Sequence, residues 1–306
     1  MHNPAGLYEL ITDLADVPHG LPLVGAVTGF ADAGGAVSQL SEYFLDKLDH
    51  STIAEFDNDI LLDYRARRPT IYFDEDHIAD YTPLRLGLYL VHDEVGQPFL
   101  LLTGYEPDFQ WDTFAAAIVQ LIEQLEVKST TWVHAIPMPV PHTRPINVTV
   151  SGNRTELIET MSIWKPRTQA PANALHHVEY RLQQLGHPIA GFVLLIPHYL
   201  ADTEFPLAAV TAIESVSAAT GLIFPTDDLR ESGRDFLTKI ESQVESNPEL
   251  AKLVETLEER HDSYLQDNPL RSPLTDIDGE LPSADSIAAE LQNFLAMRRD
   301  EGLPGI

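Results

Sequence analysis

Cysteine is absent from the 306 residues. Without it no disulfide framework, thiol nucleophile or thiolate metal site can be built. Basic residues are scarce: 19 lysines and arginines stand against 47 aspartates and glutamates, a formal net charge of −28. A field of that sign repels phosphate backbones and anionic lipid surfaces, so neither nucleic acid nor membrane is expected as a partner. Long apolar runs are missing too. No stretch approaches the roughly 18–20 apolar residues that cross a bilayer. The first twenty residues have no basic n-region and no apolar core, and a cytoplasmic location is the expectation. The common catalytic signatures are also lacking: there is no GxGxxG, GxxxxGK, GxSxG or HExxH. No metal site and no cofactor are expected.

What is present is an alternation of apolar strands and amphipathic helices. Residues 22–29 read as a short buried strand. After it Val37, Leu40, Phe44 and Leu48 recur at three- and four-residue spacing and form one helical stripe. Strands are predicted at 52–56, 70–73, 84–92, 99–103, 130–136, 146–150 and 191–196, with helices at 110–126, 173–185 and 206–220. Strand–helix alternation of this kind implies a sheet covered on both faces. Right-handed crossovers then gather the strand-to-helix loops on one edge, where ligands of open α/β folds bind.

Beyond 226 the strand signal stops. Residues 227–246 read as one amphipathic helix. Asn247-Pro248-Glu249 is a strong start for another, with a cap, a first-turn proline and an acid at the positive dipole end. Residues 268–282 read as a linker, and Ser283 as the cap of a last helix to about 300. From 227 to 306 there are 19 acidic and 8 basic residues, a net of −11. The expected division is an α/β body over 1–225 and an acidic helical unit over 226–306.

Four motifs follow predicted strands. In GFADAGGA (29–36) a glycine turn at a helix start can seat an anion, or Asp32 can support the helix itself. In GYEPDFQW (104–111) Glu106 and Asp108 can act as a carboxylate pair. Alternatively, Asp108 caps the next helix while Trp111 packs on the sheet. PMPVPHTRP (137–145) is a proline-stiffened loop presenting His142, Thr143 and Arg144, suited to an anion or to a protein interface. Pro197-His198-Tyr199 follows the last strand, and His198 there is a site or a structural group. His176 and His177 are adjacent on a helix, diverge by roughly 100°, and make a poor metal pair.

These four motifs, in this order, resemble those of the proteasome assembly chaperone 2-like family over residues 20–225, and the helical tail resembles its actinobacterial branch. The resemblance implies a three-layer α/β fold like that of nucleoside phosphorylases and related hydrolases: a twisted mixed sheet flanked by helices, with a C-terminal helical appendage. It also implies a protein-binding or assembly role, and self-association, with a trimer among the orders that fold suggests. The motif-matched positions are Asp32, Glu106, Asp108, Trp111, His142, Thr143, Arg144 and His198. Two functions from different classes follow. One is a non-catalytic binding or assembly protein acting through its strand-end loops. The other is a hydrolase or phosphorylase-like enzyme on a small anionic metabolite, with Asp32 or Glu106 as base and His142 and Arg144 on the anion.

Overall fold

The computed structural model describes residues 4–163, 165 and 167–267. Eight strands form one mixed sheet: β1 (Tyr8–Leu10), β2 (Pro22–Thr28), β3 (His50–Phe56), β6 (Leu86–His92), β7 (Pro98–Tyr105), β8 (Ser129–Met138), β9 (Asn147–Gly152) and β10 (Ile189–Pro197). Their spatial order is β1-β3-β6-β7-β2-β8-β10-β9. The middle run β7-β2-β8-β10 is parallel, and the outer pairings are antiparallel. The carboxyl ends of β2, β7, β8 and β10 therefore share one edge. A second sheet is only a hairpin of β4 (Thr70–Asp74) and β5 (His77–Thr82).

Period-two alternation divides the sheet between two cores. Val24 and Ala26 of β2 face one way, against α1 (Ala36–Lys47) and α6 (Pro206–Thr220). Leu23 and Val27 face the other, against α3 (Trp111–Gln124) and α5 (Ala174–Gln184). α1 buries the predicted stripe at Val37, Leu40 and Phe44, and α3 buries Phe114, Ile118, Leu121 and Ile122. Two longer helices, α7 (Asp227–Ser246) and α8 (Pro248–Asp267), lie outside α6. They add Ile240, Val254 and Leu257 to its core. The result is the expected three-layer α/β sandwich with C-terminal helices.

The structure adds elements that the periodicity did not reveal. Two are short helices, α2 (Asn58–Leu61) and α4 (Thr155–Met161). Two are strands: β1, three residues on the sheet edge, and β5, whose large apolar residues Ile78 and Tyr81 stand three apart across a bulge and show no period-two alternation. The predicted linker at 268–282 and the helix from Ser283 lie outside the described residues.

Candidate functional site

The loop after β2 is built around its own carboxylate. Gly34 and Gly35 adopt left-handed φ values of 70° and 59°. A side chain on Gly34 would also crowd Phe205, Ile196 and Ala208. The turn points the first amides of α1 at Asp32. Asp32 Oδ1 accepts from Val37 N–H at 2.7 Å, and Oδ2 accepts from Ser38 N–H at 2.9 Å and Ser38 Oγ–H at 2.7 Å. The helix N-terminus already holds an anion, and that anion is Asp32. Of the two readings of this loop, the structure takes the one in which Asp32 supports the helix.

The loop after β7 touches the first one. Gly29 has no room for a Cβ because the Glu106 side chain fills the space. Glu106 N–H donates to Thr28 O at 2.6 Å. The Glu106 carboxylate accepts from Ala174 N–H, at the start of α5, at 3.0 Å, and from the Phe30 backbone amide. Burial pushes its pKa up, while those two donors oppose the shift. Asp108 is not the cap of α3. Gln110 holds that position in a left-handed conformation, φ 61°. Asp108 instead pairs with Arg67 and accepts from Asp63 N–H at 2.7 Å. Arg67 also lies over the Tyr105 ring. The two carboxylates thus serve different neighbours. Trp111 packs at the edge of the core, and its indole N–H donates to Pro107 O at 2.6 Å.

The loops after β8 and β10 form one unit with α8. The His142 backbone N–H donates to the Tyr199 hydroxyl at 2.8 Å, and that hydroxyl lies 2.7 Å from His142 Nδ1. Burial lowers the His142 pKa and raises that of Tyr199. Burial thus disfavours the charged form of each. His198 is buried with Nδ1 3.3 Å from Met138 O. Arg144 makes a two-pronged contact with Asp262, Nε to Oδ1 at 2.9 Å and Nη2 to Oδ2 at 2.5 Å, and reaches Glu258 Oε1 at 3.2 Å. The Thr143 hydroxyl donates to the same Glu258 oxygen. Asn147 donates to His261 Nε2 at 3.3 Å. The Arg144 guanidinium holds the Asp262 carboxyl down to about 2.

Sequence reasoning missed the partners. Tyr199 stands in the last motif without any sign that it meets His142, and Glu258 and Asp262 stay silent until α8 is laid on the proline-rich loop. The one sequence signal of Glu258 and Asp262 is that they form a helical i, i+4 acidic pair. His134 was missed as well. It is buried on β8 between Trp132, His176 and the half-exposed ring of Phe30. Burial, reinforced by His176, takes its pKa down to about 4. Among the described residues no hydrogen bond or ion pair links Glu106 to His142 or Arg144. No group of three or more potential metal ligands occurs there either, and no helix there is long and apolar enough to cross a membrane.

A mixed sheet between helical layers, its carboxyl-edge loops tied to one another and to a two-helix tail, defines a three-layer α/β protein with a helical cover. The chain belongs to the PAC2 family, which it matches over residues 26–244. It is similar to a protein of unknown function from Corynebacterium glutamicum at 34% identity and TM-score 0.80, over 85% of this chain and 98% of that one. A Mycobacterium tuberculosis protein of unknown function is similar at 38% identity and TM-score 0.81, over 86% and 93%. A Mycobacterium tuberculosis proteasome-assembly chaperone homologue shares the fold at 22% identity and TM-score 0.69, over 76% and 100%. No curated protein matches the sequence.

Proposed function

We propose that this chain is a non-catalytic, cytoplasmic protein-binding factor of the assembly-chaperone kind, acting through the loops at the carboxyl edge of its parallel strands. One observation carries the reading: the groups best suited to chemistry already have internal partners. Asp32 is held by α1, Asp108 by Arg67, His142 by Tyr199, and Arg144 by Glu258 and Asp262. Catalysis needs a base or anion-binder free to meet a substrate. That edge offers solvent two large aromatic side chains: Phe30 is 54% exposed and Phe109 51%. Exposed aromatics beside polar loops suit a protein partner. The described relative that is a proteasome-assembly chaperone homologue supports the same class.

In this reading Asp32, Glu106, Asp108, Trp111, His142, Thr143, Arg144 and His198 shape and stiffen the binding edge. The body, 1–225, carries recognition, and α7 and α8 cover part of it. Self-association into a homo-oligomer belongs to the same reading. The test is co-purification of native complexes with the full chain and with Phe30→Glu/Phe109→Glu. The reading expects a stoichiometric protein partner that the variant loses while keeping its thermal midpoint. A partner retained in full by the variant contradicts it.

A further inference from the structure

Beneath the carboxyl edge one buried polar group has no partner. His134 follows Trp132 by two positions on β8, so both side chains face the layer of α5. His134 is 4% exposed, and among the described residues no hydrogen bond or ion pair reaches its ring nitrogens. A buried imidazole left unpaired costs free energy. Three rings wall it: those of Trp132, His176 and Phe30, with centroids 6.3, 6.0 and 6.4 Å away. Trp132 is buried, and its indole N–H is taken by Glu179. His176, in the first turn of α5, is part-exposed, with Nδ1 engaged by Asn173. Phe30 is half-exposed. His176 and Phe30 are thus the solvent side of this recess, and His134 is its floor.

The charge at the rim is negative. Glu106 accepts from the Phe30 amide and from Ala174 N–H at 3.0 Å, so its carboxylate lies between the backbones that carry both rim rings. It is 7% exposed. Arg67, the cation that acts on it, is already paired with Asp108. An anion entering here meets Glu106 and the field of a chain of net charge −28. A primary ammonium group meets the aromatic rings of Phe30 and Trp132, a carboxylate in need of a counter-charge, and an imidazole nitrogen that can accept from it.

We infer that the recess over His134 is a socket for a primary ammonium group, and that a lysine side chain of the protein partner supplies it. Phe30 turns aside to admit the side chain. The apolar stem of the lysine then lies along Phe30 while its head reaches Glu106 and His134. A basic segment is also what a chain of this charge draws to itself. The inference rests on the protein-binding role proposed above.

The test is a titration of the full chain with n-butylammonium, which mimics the lysine side chain, at fixed ionic strength. It is followed through the ring resonances of His134 and His176. Saturable shifts with a Kd on the order of 1–10 mM are expected. Butyrate and n-butanol, of the same length, should produce none. His134→Phe keeps a ring on the floor and removes the acceptor. Glu106→Gln keeps an acceptor for Ala174 N–H and removes the charge. Each should weaken butylammonium binding about fivefold or more, with circular dichroism unchanged, and Glu106→Gln should weaken the co-purified partner about tenfold. Should either variant fail to fold, the wild-type comparison with butanol and butyrate decides. Absent shifts, equal shifts with butanol, or butylammonium binding unchanged in both variants overturns the socket. A partner held at full strength by both variants overturns the lysine and leaves the protein-binding edge standing. Butylammonium bound by a chain that has no protein partner removes the proposed function, and with it lysine as the source, and leaves a site for a free amine.

Discussion

Glu179 on α5 is nearly fully buried with three donors around its carboxylate: Trp132 Nε1–H at 2.6 Å, Ser151 Oγ–H at 2.9 Å and Gln183 Nε2–H at 2.9 Å. It ties β8, β9 and α5 together from inside. Glu179→Ala strands a buried indole N–H and opens a cavity, and should cost about 2–4 kcal/mol in denaturant unfolding. His134 acts at the same scale but through protons. Its folded pKa, about 4, lies below the ordinary 6.5. The unfolded chain therefore binds the proton first as pH falls, and the contribution of neutral His134 is present above 6.5 and is lost on the way down to about 4. The excess stability of wild type over His134→Phe should shrink across that window by on the order of 3 kcal/mol, read from unfolding curves at successive pH values.

Among the elements, α3 ends with a non-glycine residue in a glycine conformation. Glu126 has φ 50°, and Val127 N–H closes back on Ile122 O at 2.9 Å in a Schellman-type cap. Left-handed backbone is costly for a side chain, and part of that gain is returned through the looser unfolded state. Glu126→Gly should therefore stabilise the protein by about 0.5–1 kcal/mol, visible as a raised thermal midpoint. α8 is held differently, by the Arg144 contacts with Asp262 and Glu258. These charges are part-exposed and salt-screened. Arg144→Met should speed amide exchange along α8 while leaving α1 and α3 protected. Because Asp262 stays ionised to about pH 2, acid should release α8 only at the bottom of the pH range. Most elements were legible because each buries a periodic face, as α1 and α3 do. β5 was illegible because its large apolar residues, Ile78 and Tyr81, stand three apart across a bulge at Ala79 and so show no period-two alternation. Asp108 misled because Asp ahead of a helix usually caps it, whereas here Arg67, more than forty positions earlier, takes it first.

For the molecule as a whole, the sheet brings the four sequence motifs to one edge, and long-range contacts decide what each does there. His142 reads in sequence as a group presented on a stiffened loop. In the fold it is closed by Tyr199, 57 positions away. Arg144 reads as an anion-binder, and the anion is supplied by α8 of the same chain. Such contacts leave no local trace, so the gathering of the four motifs at one edge could be read from strand-end spacing while the partner of each could not. The central claim is that this edge binds protein and does no chemistry. The most direct measurement is hydrogen exchange of the native complex against the free chain, followed through residues 28–32, 105–111, 137–145 and 197–205. The account predicts slowed exchange in those loops on binding, with the opposite sheet edge unchanged. Equal exchange in the loops, with protection confined to other surfaces, would contradict it.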